Sequence, residues 1–161
     1  MTLDEYEARF PSIAPQRAHA NTDELRHLSA EDSVRVLGDP PAEADERHVP
    51  QSSGDLGCHL WVFYSRSVPY VLETAAVTPR LQTGRVKHTN LTGGAKASCG
   101  GELWVDPVDA SRLFLNGCSG RYGPRTAAQL EAAVEVFEQF GYHVTSFGWD
   151  EDTNRPARVL R

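Results

Sequence analysis

Between Gly84 and Pro124 the chain gathers most of its side chains able to do chemistry, in three glycine-spaced runs: "GRVKHTNLTGG", "SCGGELW" and "NGCSGRYGP". His88 is the residue type that takes or gives a proton near neutral pH. Glu102, directly after Gly100 and Gly101, offers a carboxylate to a ligand hydroxyl or to His88. Tyr122 supplies a ring for stacking and a hydroxyl. These three are the candidate catalytic residues. Thr89, Asn116, Ser119, Arg121 and Arg125 are the candidate ligand-binding residues around them. Glycine belongs where the backbone turns with positive φ or is closely approached, so two readings stand: the three runs are β-turns, or they are loops that line a ligand.

"NGCSGRYGP" leads into a helix start, where unpaired amides and the helix dipole attract an anion, and Arg121 and Arg125 would reinforce that pull. In the other reading Thr126 already satisfies those amides and both arginines are solvated. The run is not a phosphate-binding loop, because no Lys-Ser or Lys-Thr pair follows its last glycine. It is not the nucleophile elbow of a serine hydrolase either, since G-x-S-x-G is absent. Cys118 would act as a nucleophile only with its pKa depressed by Arg121 or His88. Otherwise it is an inert small residue. No H-x-x-x-H or H-E-x-x-H occurs, so the sequence assigns no metal ligands, and the residues by themselves assign no cofactor.

The bulk composition narrows the partners. A formal charge of −6 leaves no surplus of Lys and Arg for gripping a phosphate backbone, so nucleic acid is not expected. No apolar run approaches the ~18 residues of a membrane span, and "MTLDEYEARF" is acidic where a secretory leader is basic. We therefore expect a soluble cytoplasmic protein whose partner is a small molecule or anion, or another protein. Cys58, Cys99 and Cys118 have no C-x-x-C spacing and read as reduced thiols.

The elements that must hold these residues follow from local pattern. "LWVFYS", "VPYVLE", "GRVKHT", "GELWVD" and "RLFLNG" read as strands, with Leu113 and Leu115 on one face and Arg112, Phe114 and Asn116 on the other. Thr126 caps a helix with Gln129 at the capping-box position, and Leu130, Ala133, Val134 and Phe137 form its apolar stripe. Gly141 stands where the left-handed C-cap belongs. "YHVTSFGW" is the last strand. Before all this, Thr2 with Glu5 and Ser29 with Glu31 and Asp32 start short helices.

The expected architecture is α+β: a mainly antiparallel sheet with one long helix packed on a face and a short-helical N-terminal arm. The divisions are residues 1–37 for the arm, 38–57 for an acidic Pro-rich loop or linker, and 58–161 for the core domain.

The order of His88-Thr89, Gly93-Gly94, Gly100-Gly101-Glu102, Asn116, Ser119-Gly120, Tyr122 and Pro124 before a helix resembles a domain of bacterial toxin-like proteins and of plant IQ-motif calmodulin-binding proteins. That domain reads roughly H-S-S, G-G, A-G-E and N-x-S-G-H-Y-x-P. The likeness spans about residues 58–150, with Gly100 in place of Ala and Arg121 in place of His. It implies a small effector-like or ligand-binding domain whose cleft is lined by His88, Glu102, Ser119, Arg121 and Tyr122. A looser pattern, His88, Tyr122 and then Glu151, resembles ADP-ribosyltransferases of the His-Tyr-Glu type. That likeness implies a nicotinamide dinucleotide stacked on Tyr122, its ribose bonded by His88, and a glutamate assisting transfer.

Overall fold

The computed structural model describes residues 1–38 and 48–161. Residues 39–47, inside the stretch expected as an acidic loop or linker, lie outside the described residues.

The fold is α+β. Six strands form one sheet in the order β1 (Arg35–Val36), β3 (Pro69–Leu72), β2 (His59–Phe63), β4 (Cys99–Val105), β5 (Arg112–Asn116) and β6 (His143–Ser146). All neighbours run antiparallel except β5 and β6, which are parallel and joined through the helix α2 (Ala127–Gln139). A parallel pair needs such a crossover, because a tight turn can only reverse the chain. β7 (Trp149–Asp150) and β8 (Arg155–Pro156) make a separate hairpin.

Both faces of the sheet are covered, so β2 and β4 are buried at every residue. That is why "LWVFYS" shows no polar alternation. On one face α1 (Leu3–Arg9) and α2 bury Tyr6, Trp61, Phe63, Leu103, Leu113, Leu115 and Phe137. The Trp61 and Phe137 rings meet edge-on, centroids 5.0 Å apart. The other face carries Leu60, Val62, Val71, Trp104 and Phe147 under loops and short 3-10 turns. Leu113 and Leu115 point to the helix face, while Phe114 belongs to the opposite cluster, as their alternation requires.

The helix starts where expected. Thr126 Oγ1 accepts the Gln129 amide at 3.1 Å, but Gln129 Oε1 reaches back to the Arg125 amide (2.9 Å), one residue earlier than in a capping box. Its buried arc is wider than the expected stripe. Ala132 and Val136 are buried beside Leu130, Ala133 and Phe137, while Val134 is only partly covered, because α1 and β8 also touch α2. Gly141 has φ +97°, as its C-cap role demands. At the N-terminus, Thr2 and Glu5 form the expected capping box: Thr2 Oγ1 accepts the Glu5 amide and Glu5 Oε2 the Thr2 amide.

Three readings are corrected. "YHVTSFGW" is not the last strand: β6 ends at Ser146, Gly148 turns with φ +78°, and the β7–β8 hairpin follows. "GRVKHT" is not a strand; its end enters a 3-10 turn over His88–Leu91, with Asn90 Oδ1 accepting the Lys87 amide at 2.8 Å. The strand expected over "GELWVD" starts earlier, at Cys99, so Glu102 lies in the interior of β4. The arm before residue 38 packs on the sheet and joins it: Tyr6 is fully buried against Phe63, and β1 forms one edge of the sheet. Among the described residues no helix is long and apolar enough to cross a membrane.

The packing of α2 gives the first test. Phe137→Ala removes a fully buried ring from between Trp61 and Phe63 and is expected to cost on the order of 3–5 kcal/mol in urea denaturation. An unchanged midpoint would show that the helix does not carry the core.

Candidate functional site

Of the sequence candidates, His88, Glu102 and Asn116 meet at the end of the β4–β5 ladder, where the chain leaves the sheet. Registered pairing stops at Glu102 opposite Asn116. Beyond that point side chains take over the ladder's bonds. Asn116 Oδ1 accepts the Glu102 amide at 3.2 Å and the Cys118 amide at 2.9 Å, while His88 Nε2 donates to the Gly101 carbonyl at 2.8 Å. The departure needs glycine at 101: a Cβ there would stand 2.1 Å from the Asn116 carbonyl oxygen and 2.9 Å from the Trp61 ring. Gly100 does the same on the other face, where a Cβ would come within 3.2 Å of Tyr122 Cβ. The glycine pair thus serves close backbone approach.

Around this junction the polar residues are buried and tied to one another. Glu102 Oε2 accepts from Asn116 Nδ2 at 2.9 Å and from the Gly54 amide at 3.2 Å. Burial pushes the Glu102 carboxyl up, against the pull of its bonds to Asn116 and Ser53. His88 is held neutral with a pKa lowered to about 4. Burial is the main cause, the positive charges of Lys87 and Arg121 add to it, and the Gly101 bond opposes it. Tyr122 is 1 % exposed; its hydroxyl donates to the Ala95 carbonyl at 2.7 Å and lies 2.8 Å from Thr92 Oγ1. Thr89 is buried with its hydroxyl unpartnered among the described residues. Ser119 Oγ accepts the amides of Arg121 and Tyr122, so it shapes the turn.

Arg121 is drawn away from the helix start. Arg121 is buried and donates to Glu24 Oε1 at 2.6 Å and to the Ala18 carbonyl. Arg125 is exposed. Thr126 Oγ1 serves the Gln129 amide in the first turn of α2, and the anion-site expectation loses the Arg121 charge to Glu24. Glu24 is the partner that sequence reasoning missed. Burial opposes its charge, but the Ala20 amide, Arg121 and the Asn21 amide outweigh burial and hold its carboxyl below the ordinary range.

Cys118 is not primed as a nucleophile, since burial and the nearby Glu102 charge push its thiol up to about 11. A different constellation emerges beside Glu102. Cys58, just before β2, Glu73, just after β3, and Glu102 bring one ligand atom each to within 4.8 Å of the others. Glu73 Oε2 lies 3.8 Å from Cys58 Sγ, while Arg85 Nη1 holds Glu73 Oε1 at 3.0 Å. No local spacing announces this group, because strand pairing alone assembles it. Elsewhere, an open groove of about 400 Å³ lies against β5 and β6 between Asp106, Arg112, Phe114, His143 and Thr145, and contains none of the expected site residues.

No family model, no curated protein and no solved structure matches the chain.

Two tests separate the structural roles. Arg121→Ala leaves Glu24, 2 % exposed, without its cation and is expected to cost roughly 3–5 kcal/mol by chemical denaturation; a loss under 1 kcal/mol would mean the pair is not buried in solution. His88 gives a pH signature. Its folded pKa of about 4 lies below the ordinary 6.5, so between these values the unfolded chain binds a proton that the folded chain refuses. The stability it contributes is complete above pH ~6.5 and lost as pH falls toward ~4, by at most about 3 kcal/mol. His88→Gln keeps a donor for Gly101 but not the titration. Stability measured across pH 4–7 should therefore fall more steeply for the wild type than for His88→Gln, and parallel curves would show that the imidazole is not held neutral.

Proposed function

We propose that the chain is a ligand-binding domain of the effector-like kind its resemblance implies, and that its ligand is a cation or a donor-rich small molecule bound at Glu102. The observation that carries this reading is the Glu102 carboxylate: it is 7 % exposed, and the groups on it are Asn116, the Gly54 amide and Ser53, with a second carboxylate, Glu73, beside it. A buried carboxylate is ordinarily matched by a cation or enough donors. Here no described side chain supplies the positive charge to Glu102, and Arg85 reaches only the outer oxygen of Glu73.

The segment Gln51–Gly57 covers this point, with Trp104 Nε1 donating to the Asp55 carbonyl and Gly54 reaching Glu102. A ligand therefore enters beside that segment. The residues of the sequence motif act around it: Asn116 orients Glu102, His88 and the glycine pair hold the ladder end open, and Tyr122 and Ser119 fix the turn that follows.

Nothing in the geometry favours the ADP-ribosyltransferase reading. The Tyr122 ring is in the core and its hydroxyl is engaged, so it offers no face to a nicotinamide, and Glu151 is an exposed turn residue.

A thermal-shift screen of amines, polyols, nucleotides and small anions, run in chelator-treated buffer, tests the reading. At a hundred times its dissociation constant a ligand adds about 2.7 kcal/mol to stability. The expected hit is a cationic or polyhydroxylated compound whose shift disappears in Glu102→Gln and persists in Arg125→Ala. A shift given only by anions and lost in Arg125→Ala would return the site to the helix start.

A further inference from the structure

We propose that Cys58, Glu73 and Glu102 form a binding site for a thiophilic divalent cation of the zinc class; this rests on the reading of Glu102 as the ligand-binding residue. Three separate stretches supply the donors: the residue before β2, the residue after β3 and the interior of β4.

The geometry is close to what coordination needs. Bonds of ~2.3 Å to sulfur and ~2.1 Å to oxygen at tetrahedral angles put the two ligand atoms about 3.6 Å apart. Cys58 Sγ and Glu73 Oε2 are 3.8 Å apart, and all three ligand atoms fall within 4.8 Å of one another, so small side-chain rotations close the site.

Cys58 is what separates this group from an ordinary acidic patch. It is 4 % exposed, and outside the group its thiol has a long contact, 4.0 Å, to the neighbouring His59 carbonyl and a backbone contact from Gly54. The thiol hydrogen-bonds to Glu73 Oε2 at 3.8 Å, so the sulfur is already turned toward the carboxylates that would share a cation with it. On ligation the sulfur–metal bond replaces the S–H bond, and the proton leaves to solvent.

The outer contacts match those of metal sites, in which partners fix each ligand's orientation. Asn116 Nδ2 and the Gly54 amide hold Glu102, and Arg85 holds the far oxygen of Glu73, leaving Oε2 toward the sulfur. One thiolate with two carboxylates suits zinc or cobalt better than magnesium or calcium, which take oxygen donors.

The test titrates Co²⁺ and then Zn²⁺ into the full chain. Co²⁺ should give one equivalent of binding with thiolate-to-cobalt absorption in the near ultraviolet and visible bands of four-coordinate cobalt, both removed by Zn²⁺. Cys58→Ser should abolish the near-ultraviolet band. Glu73→Gln, a change at a half-buried position, should weaken binding at least tenfold, and Cys99→Ser, whose thiol lies on the helix face, should leave the spectrum intact. No spectrum with the wild type, or one that survives Cys58→Ser, overturns the proposal. If cobalt gives no spectrum while an organic ligand still protects the protein in a Glu102-dependent way, the metal site is wrong and the broader reading stands. If neither binds, both fall.

Discussion

The close approach of the Asn116 carbonyl to Gly101 is the constraint on which the rest of the site depends. It exists only because β4 carries two adjacent glycines in its buried middle, one giving room to Trp61 and the Asn116 carbonyl, the other to Tyr122. A strand interior is a costly place for glycine, which loses the most backbone entropy on folding. Here that cost permits β5 to end inside the protein rather than at a surface. The backbone groups freed by ending it cannot remain unpaired in a buried setting, so Asn116 and His88 serve them, and these two polar side chains bring Glu102 and the 3-10 turn at His88–Leu91 into a single network.

The same logic explains the tie between the N-terminal segment and the turn after β5. Residues 16–24 wrap that turn: the Gln16 amide donates to the Arg121 carbonyl at 2.8 Å, Gln16 Nε2 donates to the Gly123 carbonyl at 3.0 Å, and Glu24 meets the Arg121 guanidinium. Asn90 adds a second clasp, its amide donating to the carbonyls of Asp23 and Arg26. Replacing such a buried pair by apolar residues is often neutral or stabilising, whereas breaking it is not, so its use here lies in specifying where the arm docks. A greasy arm would slide on a greasy face; Arg121 and Glu24 accept one register.

Much of the fold was legible because it is encoded locally. The Thr2–Glu5 box, the Thr126 cap, Gly141 and the alternation of Leu113 and Leu115 are short-range signals, and each element stands within a residue or two of its expected bounds. The failures share one cause: burial by residues far away in sequence. "GRVKHT" has strand-like composition, but its end enters a 3-10 turn whose Asn90 is tied to the carbonyls of Asp23 and Arg26, far away in sequence. Val134 fits the stripe of a helix lying on a flat sheet, and the contacts of α1 and β8 shift the buried arc to include Val136. For the site, residue types were read well and environments were not. Arg121 and Tyr122 read as exposed recognition groups because nothing near them in sequence names Glu24, Thr92 or Ala95 as partners.

The three cysteines show how environment divides one residue type. Burial pushes every thiol up, Cys99 to about 12, so none is a free nucleophile and each must be understood by what surrounds it. Cys99 faces Tyr6 in an aromatic core and behaves there as a small apolar residue. Cys58 faces two carboxylates, whose negative potential resists forming a thiolate, unless a cation arrives to reverse that potential for all three groups at once. A cluster whose donors come from three separate strand ends and interiors, brought together by strand pairing, is preorganised for a cation, because the backbone has already borne the work of bringing the donors together.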